Sequence, residues 1–218
     1  MGLNAKFDER VVIDTLENYW VTSPVPGVER YMLDRLGAED ARATSIVRYA
    51  AGSSFTPHAH PLGEEFLVLA GIFSDEHGDY PAGTYVRNPP GSKHAAYSDE
   101  GCEIFVKVRQ FDVADTKRVV IDTKNEIFRQ GLVSGLKVLP LHEFGTEHAA
   151  LVRWAPGTRF QPHTHWGGEE IFVIEGVFSD EYGDYPAGTW IRSPHMSVHN
   201  PFSNSGCLIY VKVGHLSK

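Results

Sequence analysis

The sequence contains itself twice, and that duplication constrains the fold more than any other feature. PHAHPLGEE at residues 57–65 reappears as PHTHWGGEE at residues 162–170, and the same step of 105 takes His58 to His163, His60 to His165, Glu64 to Glu169 and Gly71 to Gly176. Aligned at that step without a gap, residues 52–108 match residues 157–213 at 32 of 57 positions, including the run SDE-x-GDYPAGT that starts at Ser74 and at Ser179. A second echo lies upstream: RVVIDT occurs at residues 10–15 and 118–123, a step of 118 − 10 = 108, so the copies differ by a three-residue indel before the histidine motif. A repeat of this length is most of a domain and sets the architecture before any local structure is assigned.

The 218 residues therefore divide into two units of about 100 residues, each large enough for one core. The expected boundary falls near residues 112–117, giving an N-terminal domain 1–112 and a C-terminal domain 113–218. Short β-branched and aromatic runs at 11–13, 32–36, 44–49, 66–69, 84–87 and 104–108 are separated by Gly, Pro, Asn and Asp, the pattern of an all-β domain. Helical periodicity is absent, and 13 prolines with 21 glycines interrupt the chain too often for helices. The matched loops 74–81 and 179–186 read as hairpin connections whose acidic residues make solvated turns.

A formal charge of -8 with no clustered Lys or Arg argues against nucleic acid and against an anionic membrane surface. No run approaches the roughly 20 apolar residues of a membrane span. The start, MGLNAKFDER, lacks the apolar core of a secretory signal, so the expectation is a cytoplasmic protein. Cys102 and Cys207 are repeat equivalents (207 − 102 = 105). One per domain at the same structural spot, they predict small buried side chains and no disulfide.

The chemistry lies in the motif. In a strand, residues i and i+2 point to one side, so His58 and His60 converge, as do His163 and His165. Glu64, four residues after His60 and opening the next apolar run, can return across the turn to the same point, while its neighbour Glu65 faces away. A third imidazole, His94 or His199, follows at a fixed spacing of 94 − 60 = 199 − 165 = 34 residues. Three neutral imidazoles and a carboxylate suit one divalent transition metal per domain, with Fe(II), Mn, Ni, Co, Cu and Zn all fitting. A metal preferring six ligands keeps positions open for water or substrate, and the nitrogen ligands disfavour calcium and magnesium. The expected ligands are His58, His60, Glu64 and His94 in one copy and His163, His165, Glu169 and His199 in the other. Copy two has His195, Met196 and Trp166 where copy one has Pro90, Gly91 and Pro61, which predicts a narrower mouth and an extra potential ligand at the second site.

The pattern G-x5-H-x-H-x3-E-x6-G, matched by Gly52, His58, His60, Glu64 and Gly71 and again by Gly157, His163, His165, Glu169 and Gly176, resembles the first motif of the cupin family. The second cupin motif, G-x5-P-x-G-x2-H-x3-N, is matched by Gly83, Pro89, Gly91 and His94, with Ser98 at the asparagine position. Copy two offers Gly188, Pro194 and His199, with Met196 and Ser203 replacing the glycine and the asparagine. The resemblance covers nearly all of the chain and implies an all-β bicupin of two tandem double-stranded β-helix, or jelly-roll, barrels.

Within cupins, GEEFLVLAGIFSDEHGDYPAGTYVRNPPGSKH is most similar to the ChrR-like group, whose cupin belongs to an anti-sigma factor of an oxidative-stress response. That resemblance implies a metal, usually zinc, and a regulatory role. The sigma-binding part of that family is a separate helical zinc domain with His and Cys ligands, and this chain has no cysteine before Cys102. A sigma factor is therefore not the partner expected by that route. The same group is also similar to Fe(II) dioxygenases that cleave diketones or hydroxyacetophenones, the alternative expectation. Either way a small-molecule ligand or substrate in the barrel is the expected partner, and a homodimer is compatible. Phe55, Phe66 and Tyr97, or Phe160, Trp166 and Phe202, are the aromatics expected around the open position. Sugar-phosphate chemistry is disfavoured, since only Lys93 and Arg87 are basic near the motif.

Overall fold

The computed structural model describes residues 2–17 and 19–216. Among them every regular element is a strand, and no helix is long and apolar enough to cross a membrane. The chain forms two compact units that are interleaved in sequence: residues 2–5 with Tyr19–Asn125, and residues 6–17 with 126–216.

In unit 1 the main sheet runs Val119–Asp122, Thr84–Asn88, Glu64–Asp75, Cys102–Val108, Arg42–Tyr49, Val28–Leu36 and Val21–Thr22. Unit 2 repeats that order with Val11–Asp14, Thr189–Ser193, Glu169–Asp180, Cys207–Val213, Glu147–Trp154, Leu136–Phe144 and Arg129–Gln130. A short separate ladder pairs His58–His60 with Ser92–His94, and His163–His165 with Ser197–His199. These are the two all-β jelly-roll units that the duplication implies.

The units differ in one respect from the contiguous halves 1–112 and 113–218. The first RVVIDT strand pairs with the second copy, from Val11↔Arg192 to Asp14↔Thr189, and the second pairs with the first copy, from Val119↔Arg87 to Asp122↔Thr84. Each leader covers an edge whose N–H and C=O groups would otherwise lack partners. The indel also has a place. The hairpin loop between Val28–Leu36 and Arg42–Tyr49 holds five residues, 37–41, and its counterpart between Leu136–Phe144 and Glu147–Trp154 holds two, 145–146.

The period-two alternation of the strands puts core and proposed ligand on one face, Glu64 with Phe66 and Val68 and Glu169 with Ile171 and Val173. Phe66, Val68, Phe73, Tyr80, Val86 and Ile104 fill unit 1, and their repeat equivalents Ile171, Val173, Phe178, Tyr185, Ile191 and Ile209 fill unit 2. Each such fully buried side chain contributes roughly 1.5–3 kcal/mol. Gly71 closes the motif with φ +69°, and a Cβ there would lie 2.0 Å from the Gly101 carbonyl oxygen. Only glycine fits that turn. Cys102 and Cys207 are free and buried, and burial pushes both thiols up to about 11, which leaves them protonated and unreactive.

Candidate metal centre

The ladder register brings the imidazoles together. His58 lies opposite His94 and His163 opposite His199, while His60 and His165 sit two residues along on the same side. Glu64 and Glu169 open the long strands that follow. In unit 2 the donor atoms of His163, His165, Glu169 and His199 all lie within 4.8 Å of one another. Nε2 of His165 and Nε2 of His199 are each 3.5 Å from Oε2 of Glu169. In unit 1 His58, His60 and His94 meet the same 4.8 Å limit. Oε2 of Glu64 stands 3.6 Å from His60 Nε2 and 3.5 Å from His94 Nε2. In unit 2 the four residues expected as ligands form one cluster, whereas in unit 1 the three histidines do so and Glu64 stands beside two of them, His60 and His94.

Their chemistry fits a transition ion. Nε2 of His165, Oε2 of Glu169 and Nε2 of His199 are buried and have no hydrogen-bond partner. Each such orphan costs about 1–3 kcal/mol, and here three converge on one point with the mixed nitrogen and oxygen character that imidazole-binding metals prefer. In unit 1 the corresponding His60 and His94 Nε2 atoms lie 3.0 Å apart.

The remaining ring nitrogens orient these donors. His58 Nδ1–H donates to the Thr56 carbonyl at 3.0 Å and His163 Nδ1–H to the Gln161 carbonyl at 3.1 Å, leaving each Nε2 lone pair free for the cluster. His94 Nδ1 faces Asp75 Oδ2 at 3.2 Å, and His199 Nδ1 faces Asp180 Oδ2 at 3.5 Å. Asp75 also accepts the Tyr80 hydroxyl at 3.0 Å, and Arg118 donates to that hydroxyl at 2.9 Å. In unit 2 Tyr185 donates to Asp180 at 2.8 Å, while Arg10 donates to both Asp180 (3.0 Å) and the Tyr185 hydroxyl (2.8 Å). Sequence reasoning assigned the acidic loop to turns alone and missed these six residues. The signals were present: they lie in the two strings, SDE-x-GDYPAGT and RVVIDT, that the copies share without obvious need.

Burial lowers His60 and His163, and it drives His165 down to about 3 with help from the neighbouring imidazoles. Burial would depress His94 and His199 too, but their hydrogen bonds to Asp75 and Asp180 and the facing glutamates outweigh it and raise both. Burial also pushes Glu169 up to about 7. Glu65 and Glu170 face away as expected: Glu65 accepts from Tyr85 (2.7 Å) and Arg87 (2.6 Å), and Glu170 from Trp190 (2.8 Å). Arg87 is consequently tied up away from the cluster, and Lys93 is exposed, so neither supplies the basic group considered for the site.

Each cluster opens on a cavity. That of unit 1, about 360 Å³, is walled by His58, His60 and Glu64 together with Tyr49, Phe55, Arg30 and Arg109. That of unit 2, about 160 Å³, is walled by His163, Glu169 and His199 with Leu132, Val138, Trp154, Phe160 and Phe178. The cavity at the second site is the smaller, and Trp166, His195 and Met196, the residues expected to narrow its mouth, are not in its wall. Trp166 is 66% exposed and its ring rests against His195 at 4.7 Å, outside the cavity wall. Of the aromatics expected at the opening, Phe55 and Phe160 are there, whereas Phe66 belongs to the core and Tyr97, Trp166 and Phe202 lie elsewhere.

The fold recurs in solved structures of low sequence identity. A candidate dioxygenase from Nostoc punctiforme superposes with a TM-score of 0.79 at 15% identity, over 97% of this chain and 85% of its own. Protein Ylba from E. coli gives 0.71 at 16% identity, covering 95% and 92%, and an oxalate decarboxylase gives 0.65 at 13%, covering 95% and 77%. At these identities the likeness establishes the fold alone. No curated protein sequence matches the chain. The model of the ChrR cupin-like domain matches it twice, over residues 8–112 and 116–217. With both jelly-roll units and both His/Glu clusters inside those spans, the chain belongs to the ChrR cupin-like domain family, as a tandem pair.

Proposed function

We propose that each unit holds one divalent transition metal on its quartet, and that unit 2 is the site of an Fe(II)-dependent dioxygenase acting on an apolar diketone or hydroxyacetophenone. The observation that carries this reading is the set of buried, partnerless donors His165 Nε2, Glu169 Oε2 and His199 Nε2, of which Glu169 and His199 line an apolar cavity. A structural zinc site is closed by four protein ligands, whereas a site that meets a cavity keeps room for a reactant. Bound there, iron(II) would supply activation of dioxygen and polarisation of a substrate carbonyl. The protein's own share is to hold and to exclude: Asp180 fixes the His199 ring, while Phe160, Phe178 and Trp154 present apolar faces that keep water from the reactant. The likeness to a candidate dioxygenase supports the reading.

A second reading, a metal-holding regulatory module, draws on the ChrR cupin-like family match; on it the native ion is zinc. The discriminating experiment loads the protein anaerobically with Fe(II) and offers pentane-2,4-dione or 4-hydroxyacetophenone. Oxygen uptake should match substrate loss, disappear in His199→Ala and survive in His94→Ala. Zinc in protein purified without added metal, together with no oxygen uptake in the iron-loaded form, favours the regulatory module instead.

A further inference from the structure

The two centres share their donors, but what surrounds them has diverged. Arg30, Arg35 and Arg109 line the unit 1 cavity beside His58, His60 and Glu64. The repeat equivalents in unit 2 are Val138 and Glu143 at the step of 108 that holds before the indel, and Gly214 at the step of 105 that holds after it. The cavity of unit 2 has no arginine in its wall.

Arg109 occupies its place at some strain. Its φ is +58°, and Gly214 has +78°. Glycine takes that left-handed conformation freely, and a residue with a Cβ does so at a cost. Strain retained at a cavity wall points to use of the side chain. In unit 2 a Cβ at position 214 would lie 1.9 Å from the Thr146 carbonyl oxygen of the short hairpin loop. The three extra residues of loop 37–41 thus accompany an arginine that the short loop would exclude.

The longer loop also carries the groups that hold the guanidiniums. Glu39 accepts from Arg30 at 2.8 and 3.1 Å, Asp40 Oδ1 lies 3.4 Å from Arg109 Nη2, and Arg35 donates to the carbonyls of Ala38 and Glu39 at 2.8 and 3.1 Å. The side chain of Asp40 is 96% exposed, so its grip on Arg109 is a solvent-screened pair of little worth. A carboxylate placed further in, where less water competes, would use the planar guanidinium fork better.

The geometry points to unit 1 as a binding site for a small carboxylate, which takes Arg109 from Asp40 and directs its other end at His58, His60 and Glu64. It rests on the metal reading only for that inner end. Malonate, with neutral malonamide as control, is titrated by calorimetry into the metal-loaded full chain while metal content is measured in parallel. About one malonate per chain and no malonamide should bind. Arg109→Gly, which installs the residue of unit 2 and relieves the backbone, should weaken malonate about tenfold or more at unchanged metal content, and Asp40→Asn should tighten it. Equal malonate affinity in the parent and Arg109→Gly overturns the proposal, as does a parent that binds no malonate. Malonate that still answers to Arg109 in a chain whose unit 1 holds no metal would remove the metal reading and leave the carboxylate site standing.

Discussion

Glu64 and Glu65 are neighbours in sequence with opposite chemistry, one aimed at His60 and His94 and the other at Arg87, and Glu169 and Glu170 repeat the division. Burial holds Glu169 up at about 7. A metal takes a carboxylate or imidazole only in its deprotonated form, so every proton held by the cluster competes with the ion. Below about 7 Glu169 keeps its proton and a binding metal must expel it. His199, also raised, acts in the same direction, while His165 at about 3 is already neutral. Metal affinity at unit 2 should therefore fall as pH drops from 8 to 6, by about tenfold per pH unit for each competing proton. Calorimetry on a His58→Ala/His60→Ala chain in buffers of different ionisation enthalpy should record more protons released at pH 6 than at pH 8; a count independent of pH contradicts the assignment. The eight residues proposed as ligands were legible in the sequence because strand alternation and fixed spacing place them. Asp75, Tyr80 and Arg118 were visible only as parts of shared strings, because the hydrogen bond from His94 Nδ1 to Asp75 joins residues 19 apart in sequence and no local pattern assigns them a role.

Elements were legible as strands more readily than as neighbours. Residues 11–13 read as a strand and form one, Val11–Asp14. Its partner could not be read, because TYVRN and TWIRS offer almost the same edge to a four-residue strand and nothing in RVVIDT chooses between them. The choice has a consequence for the metal centres. By joining unit 2, the first leader carries Arg10 to Asp180 and Tyr185, and the second carries Arg118 to Tyr80. Asp180 is almost completely buried, and removing the cation beside it would leave its charge poorly compensated and loosen its hold on His199. Arg10→Met should lower metal affinity at unit 2 about tenfold, the lower end for partners that orient a ligand, and leave unit 1 unchanged. Arg118→Met should do less at unit 1, since Arg118 reaches the tyrosine and not the aspartate. Competition with a chromophoric chelator on single-site chains would measure both, and equal losses at the two centres in Arg10→Met would rule out this route.

At the scale of the molecule, duplication made the architecture readable: a motif met twice at one step, with hydrophobic positions repeating at the same step, leaves little besides two copies of one all-β unit. What duplication concealed is divergence. Identical donors suggest identical sites, yet the walls differ through Arg109 and Gly214, Tyr49 and Trp154, and loops of unequal length, none of which belongs to the motif. Every proposed ligand lies in the same unit as the other three of its quartet, so the two centres have no shared ligand through which one could fail with the other. Losses should then add, as they do for sites without common partners. His58→Ala with His60→Ala should take bound metal from about two ions per chain to about one, His163→Ala with His165→Ala should do the same, and the combined variant should bind almost none. Each ion lost should also remove the stabilisation that a ligand binding only the folded state confers, roughly 2.7 kcal/mol at a free concentration a hundredfold above Kd. Elemental analysis and thermal denaturation with and without metal would read both quantities on the same samples. Unchanged stoichiometry in either double variant would exclude that quartet as a metal site, and loss of both ions from a single double variant would mean that the centres are coupled through something other than their ligands.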